Sequence, residues 1–334
     1  MAPRSRDAAL IPSTRIPSTL TNGAFAQQLI DRSTRRLVGL QAEVLDDHDP
    51  EPLHQMRVAM RRLRTALRQF GPALLLPEEV HEQAIARVAR RLGRARDLDV
   101  LGQRLDERLL PQLPEAEQRA LRPVRRQLRR ERQLAGEQLA EVLRGGRYLK
   151  LLAQLQRWQK QPHFTPLGAL PLRDWLVEWQ TPELAAILAH PGWFVADLEG
   201  DLTQVHALRK QCKHARYALE PLQPFTGRHC STWAERFRHW QDLLGELNDL
   251  EVLRQAIETQ RGQPLEQGLP QLQALLQASG AQLWQQWRGE AQAQLAPRRR
   301  RRLFQDLLIE SGPPGGARWG WLPWGWLSQI LTRS

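Results

Sequence analysis

The chain has 334 residues, 41% of them hydrophobic, and a formal net charge of +12. That length suits one large or two ordinary domains, and the apolar fraction excludes a disordered chain. The longest apolar runs, such as residues 73–76, fall far short of the roughly 20 residues of a membrane span, and Cys212 and Cys230 fit no disulfide framework or zinc motif.

Residues 1–18 are polar and carry prolines, with no continuous apolar stretch of the kind an export signal needs, so we expect a disordered segment and a cytoplasmic protein. Apolar residues at helical spacing then predict helices over 25–45, 53–70, 78–92, 100–109, 115–143 and 148–159. Residues 161–200, with five prolines and several tryptophans, read as an irregular connector. A second helical set follows over 202–222, 232–244, 250–260, 269–294 and 298–309, and a tryptophan-rich tail occupies 311–334. Alternating strand-like runs are absent, so the expected fold class is all-α, with one helical bundle over 19–160 and another over 201–310. The tail, with Trp319, Trp321, Trp324 and Trp326, is expected to pack on a bundle end, with docking to a partner or membrane surface as the alternative.

An internal repeat links the two sets. His54, Arg57, Arg61, Arg64, Ala66 and Leu67 recur as His206, Arg209, Lys213, Arg216, Ala218 and Leu219, at an offset of 152 residues. Leu92-Gly93, Asp97-Leu98 and Val100-Leu101 return at the same offset as Leu244-Gly245, Asp249-Leu250 and Val252-Leu253. Two motifs in one register indicate duplication of a several-helix unit, which would fold as two bundles related by a pseudo-two-fold axis.

The first motif carries the chemistry. On an α-helix His54, Arg57, Arg61, Arg64 and Arg68 fall within an arc of about 80°. Met56, Ala59, Met60, Leu63 and Phe70 occupy the opposite face, so the cations point away from the core. A solvated helix face normally mixes signs, because like charges four residues apart destabilise by roughly 0.2–0.5 kcal/mol each. From Leu53 to Pro77 there is no acidic residue, so the neutralising charge is expected from outside the helix. His206, Arg209, Lys213 and Arg216 repeat the stripe, with Lys210 and His214 beside them. Facing stripes would line a groove suited to a repeating phosphate, whose oxygens guanidinium forks bond in pairs. Beside phosphate the two imidazoles would hold a proton, so binding is expected to strengthen as pH falls. Arg91 and Arg94, which share a face with Arg87 and Arg90, are further candidates, and Arg147 and Lys150 with their offset partners Arg299 and Arg302 would extend the groove at its ends.

At these residues the chain resembles the CHAD family, the conserved histidine α-helical domain. The resemblance rests on His54–Arg64, Arg96–Val100 and His206–Tyr217, and spans roughly 25–309. It implies two four-helix bundles with pseudo-two-fold symmetry, a basic surface or pore between them, and binding of inorganic polyphosphate. Carried over, the family's basic positions fall on His54, Arg57, Arg61, Arg62, Arg64, His206, Arg209, Lys210, Lys213 and Arg216. Asp97 and Asp249 match its acidic positions, which orient arginines or cap helices. Many relatives carry a triphosphate-tunnel catalytic domain on the same chain, and no Glu-x-Glu strand pattern for one is present here, so any hydrolase is expected to be a separate protein.

The reading is therefore a non-catalytic polyphosphate binder without cofactor or metal, cytoplasmic or at polyphosphate granules. Nucleic-acid backbone binding is the main rival, since counterion release would drive it too. Single-strand binders interleave aromatics with cations, and the stripes offer only Tyr217 and Phe70. A phosphohydrolase accessory subunit is a further alternative, while catalysis of phosphoanhydride hydrolysis, with Mg²⁺ on Asp97 with Asp99 and on Asp249 with Glu251, would need residues that point to opposite sides of a helix to meet.

Overall fold

The computed structural model describes residues 17, 19–197, 202–226 and 228–306. The expectations for the first sixteen residues and for the tryptophan-rich tail lie outside the described residues. Twelve helices form in chain order among those described.

Helix α1 (Asn22–Asp46) starts where the Thr21 hydroxyl accepts the Ala24 amide, and it stops at Asp47, whose φ of 54° is left-handed. Helix α2 (Pro50–Phe70) follows at once. Asp49 caps it by accepting the Glu51 amide at 2.9 Å, and Pro50 occupies the first turn, where no N–H is needed. The two helices lie side by side and bury Leu37, Leu40, Met56, Met60, Leu63 and Phe70.

Helix α3 (Glu82–Gln103) departs from the sequence reading. The segment expected as two helices is one, continued by a π-helical turn over Arg104–Leu109. Gly93 is not a breaker; it lies against the Arg57 side chain, where a Cβ would come within 3.8 Å of the guanidinium. The second half repeats this behaviour, because α10 (Arg228–Arg261) runs through the position of Gly245 without interruption. Conversely, the helix expected over 115–143 is divided at Leu121 into α4 (Glu115–Ala120) and α5 (Arg122–Arg144), with Pro123 in the first turn of α5. Helix α6 (Gly146–Lys160) closes this part.

The proline-rich segment is not an irregular connector. Its His163–Phe164 pairs antiparallel with Leu74–Leu75, and it carries α7 (Pro166–Ala169) and α8 (Leu176–Leu188), the latter with Pro182 inside. Buried Asn22 ties this segment to α1 by donating to the Leu167 carbonyl at 3.0 Å and accepting the Trp179 indole N–H at 2.8 Å. Tryptophans that suggested irregularity are core anchors. Trp193, just after α8, stacks on Trp287 and meets Trp240 edge-on.

Helices α9 (Leu202–Leu219), α10, α11 (Pro270–Leu295) and α12 (Pro297–Phe304) complete the described chain. The hydrophobic side chains fall into two clusters that do not divide at the connector. Leu184, Trp193, Leu208, Phe237, Trp240 and Trp287 belong to one. Leu253, Ile257, Leu269 and Leu272, from the end of α10 and the start of α11, join the cluster built by α1 to α6. The start of α11 is held there by Glu117 of α4, whose buried carboxylate accepts the Gln271 and Leu272 amides at 2.8 and 2.9 Å. None of the helices is long and apolar enough to cross a membrane, among the described residues.

Candidate functional site

Helices α2 and α9 pack against each other, and the two cationic stripes meet at their middles. Arg61 donates to the Tyr217 hydroxyl at 2.9 Å, and its guanidinium lies 5.2 Å from the centre of that ring. Lys213 sits in the same place. With Arg57, Arg61, Arg64, Arg68 and His214 it lines a cavity of about 210 Å³ between α2, α3 and α9. Among the described residues neither Arg61 nor Lys213 has a carboxylate within salt-bridge distance. Burial, then Arg61, Arg209, Arg57 and Lys210, push the Lys213 ammonium down to about 7. Burial also lowers Arg61, with Arg57 adding to the effect and Tyr217 opposing it. His214, half-buried beside Arg68 and Lys213, is pushed down to about 3, first by burial, so it is neutral and its ring nitrogen, 3.4 Å from an Arg68 nitrogen, is an acceptor.

The two repeated sequence motifs are parts of one contact. Arg57 crosses above Gly93 and donates to Asp97 at 2.9 Å, one helical turn further on. Arg209 crosses above Gly245, where a Cβ would approach its Nε to 3.2 Å, and Asp249 lies near enough to feel its charge. Asp97 holds an arginine by a hydrogen bond, whereas Asp249 meets Arg209 only through its charge. Both lie inside helices, and neither caps one. Asp249 is also 3.9 Å from Arg104, which reaches across from the π turn after α3 and bonds Glu246. Burial raises the Asp249 carboxyl against the pull of these two arginines.

Past Glu51 in its first turn α2 has no acidic residue, and the charge that neutralises its stripe comes from outside the helix as expected, in part from the protein itself. Other helices supply carboxylates: Glu82 to Arg64, Glu183 to Arg68 at 2.5 Å, and Asp97 to Arg57. The stripe keeps an uncompensated centre and compensated ends.

Several candidates face elsewhere. Arg62 looks toward α1 and lies 3.8 Å from Glu220. Arg216 is buried over the Tyr217 ring and 3.3 Å from the same glutamate, so it supports the aromatic ring rather than lining the cavity. Arg91 and Arg94 turn to α5, donating to Gln138 and Glu131, both at 2.6 Å. Exposed Arg147 and Lys150 are on α6, which packs on α1 and α5, with Lys150 3.2 Å from Glu79. Arg299 and Arg302 on α12 lie beside Arg236 of α10, and Arg302 pairs with Asp306 at 3.7 Å. The structure brings none of these last four to the α2–α9 cavity.

His54 and His206 occupy separate hollows at the outer ends of the stripes. His54 opens on a groove of about 960 Å³ along α1, and His206 on an apolar cavity of about 570 Å³ between α9, α10 and α11. Both are lowered, first by burial. The next cause is Arg96 for His54 and Lys210 for His206, the latter partly offset by a hydrogen bond with Asn248. Arg96 was missed as a member of the site because it belongs to another helix, and only the docking of α3 on α2 places it near His54.

A comparison with curated proteins finds no match. Among solved structures, the chain is similar to the crystal structure of the CHAD domain from the plant Ricinus communis, with 22% identity and a TM-score of 0.60. That alignment covers 91% of this chain and 97% of that one. It is also similar to PptA from Streptomyces chartreusis, with 16% identity and a TM-score of 0.61 over 82% of this chain and 99% of that one. Both likenesses are of fold. The family model of the CHAD domain matches residues 28–258, a span that includes α2, α9 and both repeated motifs, and the chain therefore belongs to the CHAD domain family.

Proposed function

We propose that this protein binds inorganic polyphosphate without transforming it, through the cationic cleft where α2 and α9 meet. The observation that carries the reading is the Arg61–Lys213 centre, a pair of close cations with no carboxylate partner among the described residues and with Arg57 and Arg209 on either side. Holding such charges together disfavours protonation of Lys213, and an incoming chain of phosphates would relieve that repulsion directly. Polyphosphate fits better than a single small anion because the cations continue along both helices. Membership of a family associated with polyphosphate supports the same choice.

Nucleic acid is the weaker reading. Tyr217 is the aromatic nearest the cleft; it is 4% exposed and covered by Arg61 and Arg216, so its faces are not offered to a base. Catalysis is not part of the proposal either. Asp97 is engaged by Arg57 while Asp99 is engaged by Arg132 at 2.5 Å, so the two carboxylates diverge instead of forming a shared Mg²⁺ site. A partner enzyme would act on the bound polymer, and a cytoplasmic or granule location would give access to it.

The test is a titration with long polyphosphate, short polyphosphate and duplex DNA at equal phosphate concentration over a range of salt. Four engaged cations give a log–log salt slope of about −3, from roughly 0.7 per neutralised phosphate. Lys213→Met should weaken binding roughly tenfold and reduce the slope by about 1. Displacement of polyphosphate by equimolar DNA phosphate, or phosphate release on adding Mg²⁺, would contradict the proposal.

A further inference from the structure

The α2–α9 cleft holds a lysine in surroundings that differ from those of every other lysine in the chain. Lysines occur only at 150, 160, 210 and 213. Lys150 is exposed and paired with Glu79, and Lys160 and Lys210 are exposed on helix surfaces. Lys213 alone lines the cavity of about 210 Å³, with Arg57, Arg61, Arg64 and Arg68 on the facing helix. On its own helix it is flanked by Arg209, Lys210 and the neutral His214. The carboxylates nearest in the fold are already held: Glu82 by Arg64, Asp97 by Arg57, and Glu183 by Arg68. A cavity of this size admits a small molecule, and its walls select one that is anionic.

We propose that Lys213 is a site of covalent acylation, at which small acyl phosphates, gathered by the surrounding guanidinium groups, transfer their acyl group to the lysine amine. The neutral amine's lone pair attacks the carbonyl carbon and forms the C–N bond. The C–O bond to phosphate breaks, and inorganic phosphate leaves with the electron pair. The nitrogen's surplus proton passes to water. Arginine forks that hold the phosphoryl oxygens stabilise the charge on the leaving group. An ordinary lysine is almost wholly protonated at neutral pH and does not react in this way, whereas the placement of Lys213 leaves much of its population neutral at pH 7. The product is an amide that cannot carry charge, so acylation would also weaken polyphosphate binding; this second consequence rests on the function proposed above.

Incubation of the full chain with acetyl phosphate at pH 7, followed by peptide mass spectrometry, reads the site directly. Lys213 is expected to acetylate at least roughly tenfold faster than Lys160 and Lys210. Its rate should level off above about pH 7. Acetic anhydride, which is uncharged, should show a smaller preference for Lys213, and added pyrophosphate should protect Lys213 from acetyl phosphate selectively. Equal rates at the three lysines would overturn the proposal, as would a preference for Lys213 that is the same with both reagents. A chain that binds polyphosphate normally yet shows no such preference would refute the acylation site and leave the binding function standing.

Discussion

At the scale of single residues, the cleft couples protonation to ligand capture. Lys213 lies near 7 in the free protein because burial and its cationic neighbours disfavour the charged form. A polyanion reverses the neighbours' effect and returns the group toward its ordinary value. Between these two limits binding takes up a proton, so affinity rises as pH falls from the ordinary lysine range toward 7 and flattens below it. Calorimetry at pH 8.5 in two buffers of different ionisation enthalpy should detect uptake of about one proton, lost in Lys213→Met. His54 and His206, lowered first by burial, lie in separate hollows outside the cleft, so the second pH window expected of them does not follow from this site. The folding consequence has the opposite sense. The unfolded chain protonates Lys213 before the folded one does, so this group subtracts stability as pH falls through the ordinary lysine range to 7. Lys213→Met should therefore raise stability at pH 7, by roughly 1–3 kcal/mol after allowance for partial solvent access and relaxation. Denaturant unfolding at pH 7 would show it, and an unchanged midpoint would mean that the amine is well solvated.

At the scale of elements, the stripe on α2 and the motif on α3 were readable separately, and their relation was not. Periodicity located the basic face of α2 because its apolar residues recur with helical spacing, as the burial of Met56, Met60, Leu63 and Phe70 bears out. The expected helices end at residue 92 and resume at 100, because composition cannot distinguish a glycine that breaks a helix from one that lets a neighbouring arginine approach. The two glycines also differ in room. At Gly93 an added methyl would make ordinary contact with Arg57, so Gly93→Ala should stabilise α3 by about 0.5–1 kcal/mol. At Gly245 the methyl would press on Arg209, so Gly245→Ala should gain less stability and should weaken polyphosphate binding by shifting that guanidinium. Thermal unfolding and titration of the two variants would check the contrast. Equal behaviour of the pair would show that Arg209 moves aside freely.

At the scale of the whole molecule, the halves are joined by more than the chain between them. Arg104, 8% exposed, reaches from the first half to Glu246 and Asp249 of the second, while Glu117 caps α11 from α4. Removing one partner of a largely buried pair leaves the other charge unsatisfied, and a lost helix cap costs about 1 kcal/mol. Arg104→Met and Glu117→Gln should each lower stability by about 1–3 kcal/mol in denaturant unfolding. With the hydrophobic cluster that α10 and α11 share with the first half, these links should make the described chain unfold in one transition. Two separate transitions in calorimetry would show that the halves are energetically independent.

The sequence by itself determined that the chain is helical, that its cations form stripes at helical spacing, that two motifs recur at one offset, and which family it resembles. These properties are periodic along the chain, and a periodic signal survives without coordinates. Only the tertiary structure decided which cations stay uncompensated. Asp97 meets Arg57 across 40 residues and Glu183 meets Arg68 across 115, and no local pattern encodes such meetings. Electrostatic character depends on distances of a few ångströms between groups far apart in sequence, which is why Arg61 and Lys213 emerge as the centre of the site while Arg62, Arg91, Arg94 and Arg216 turn elsewhere.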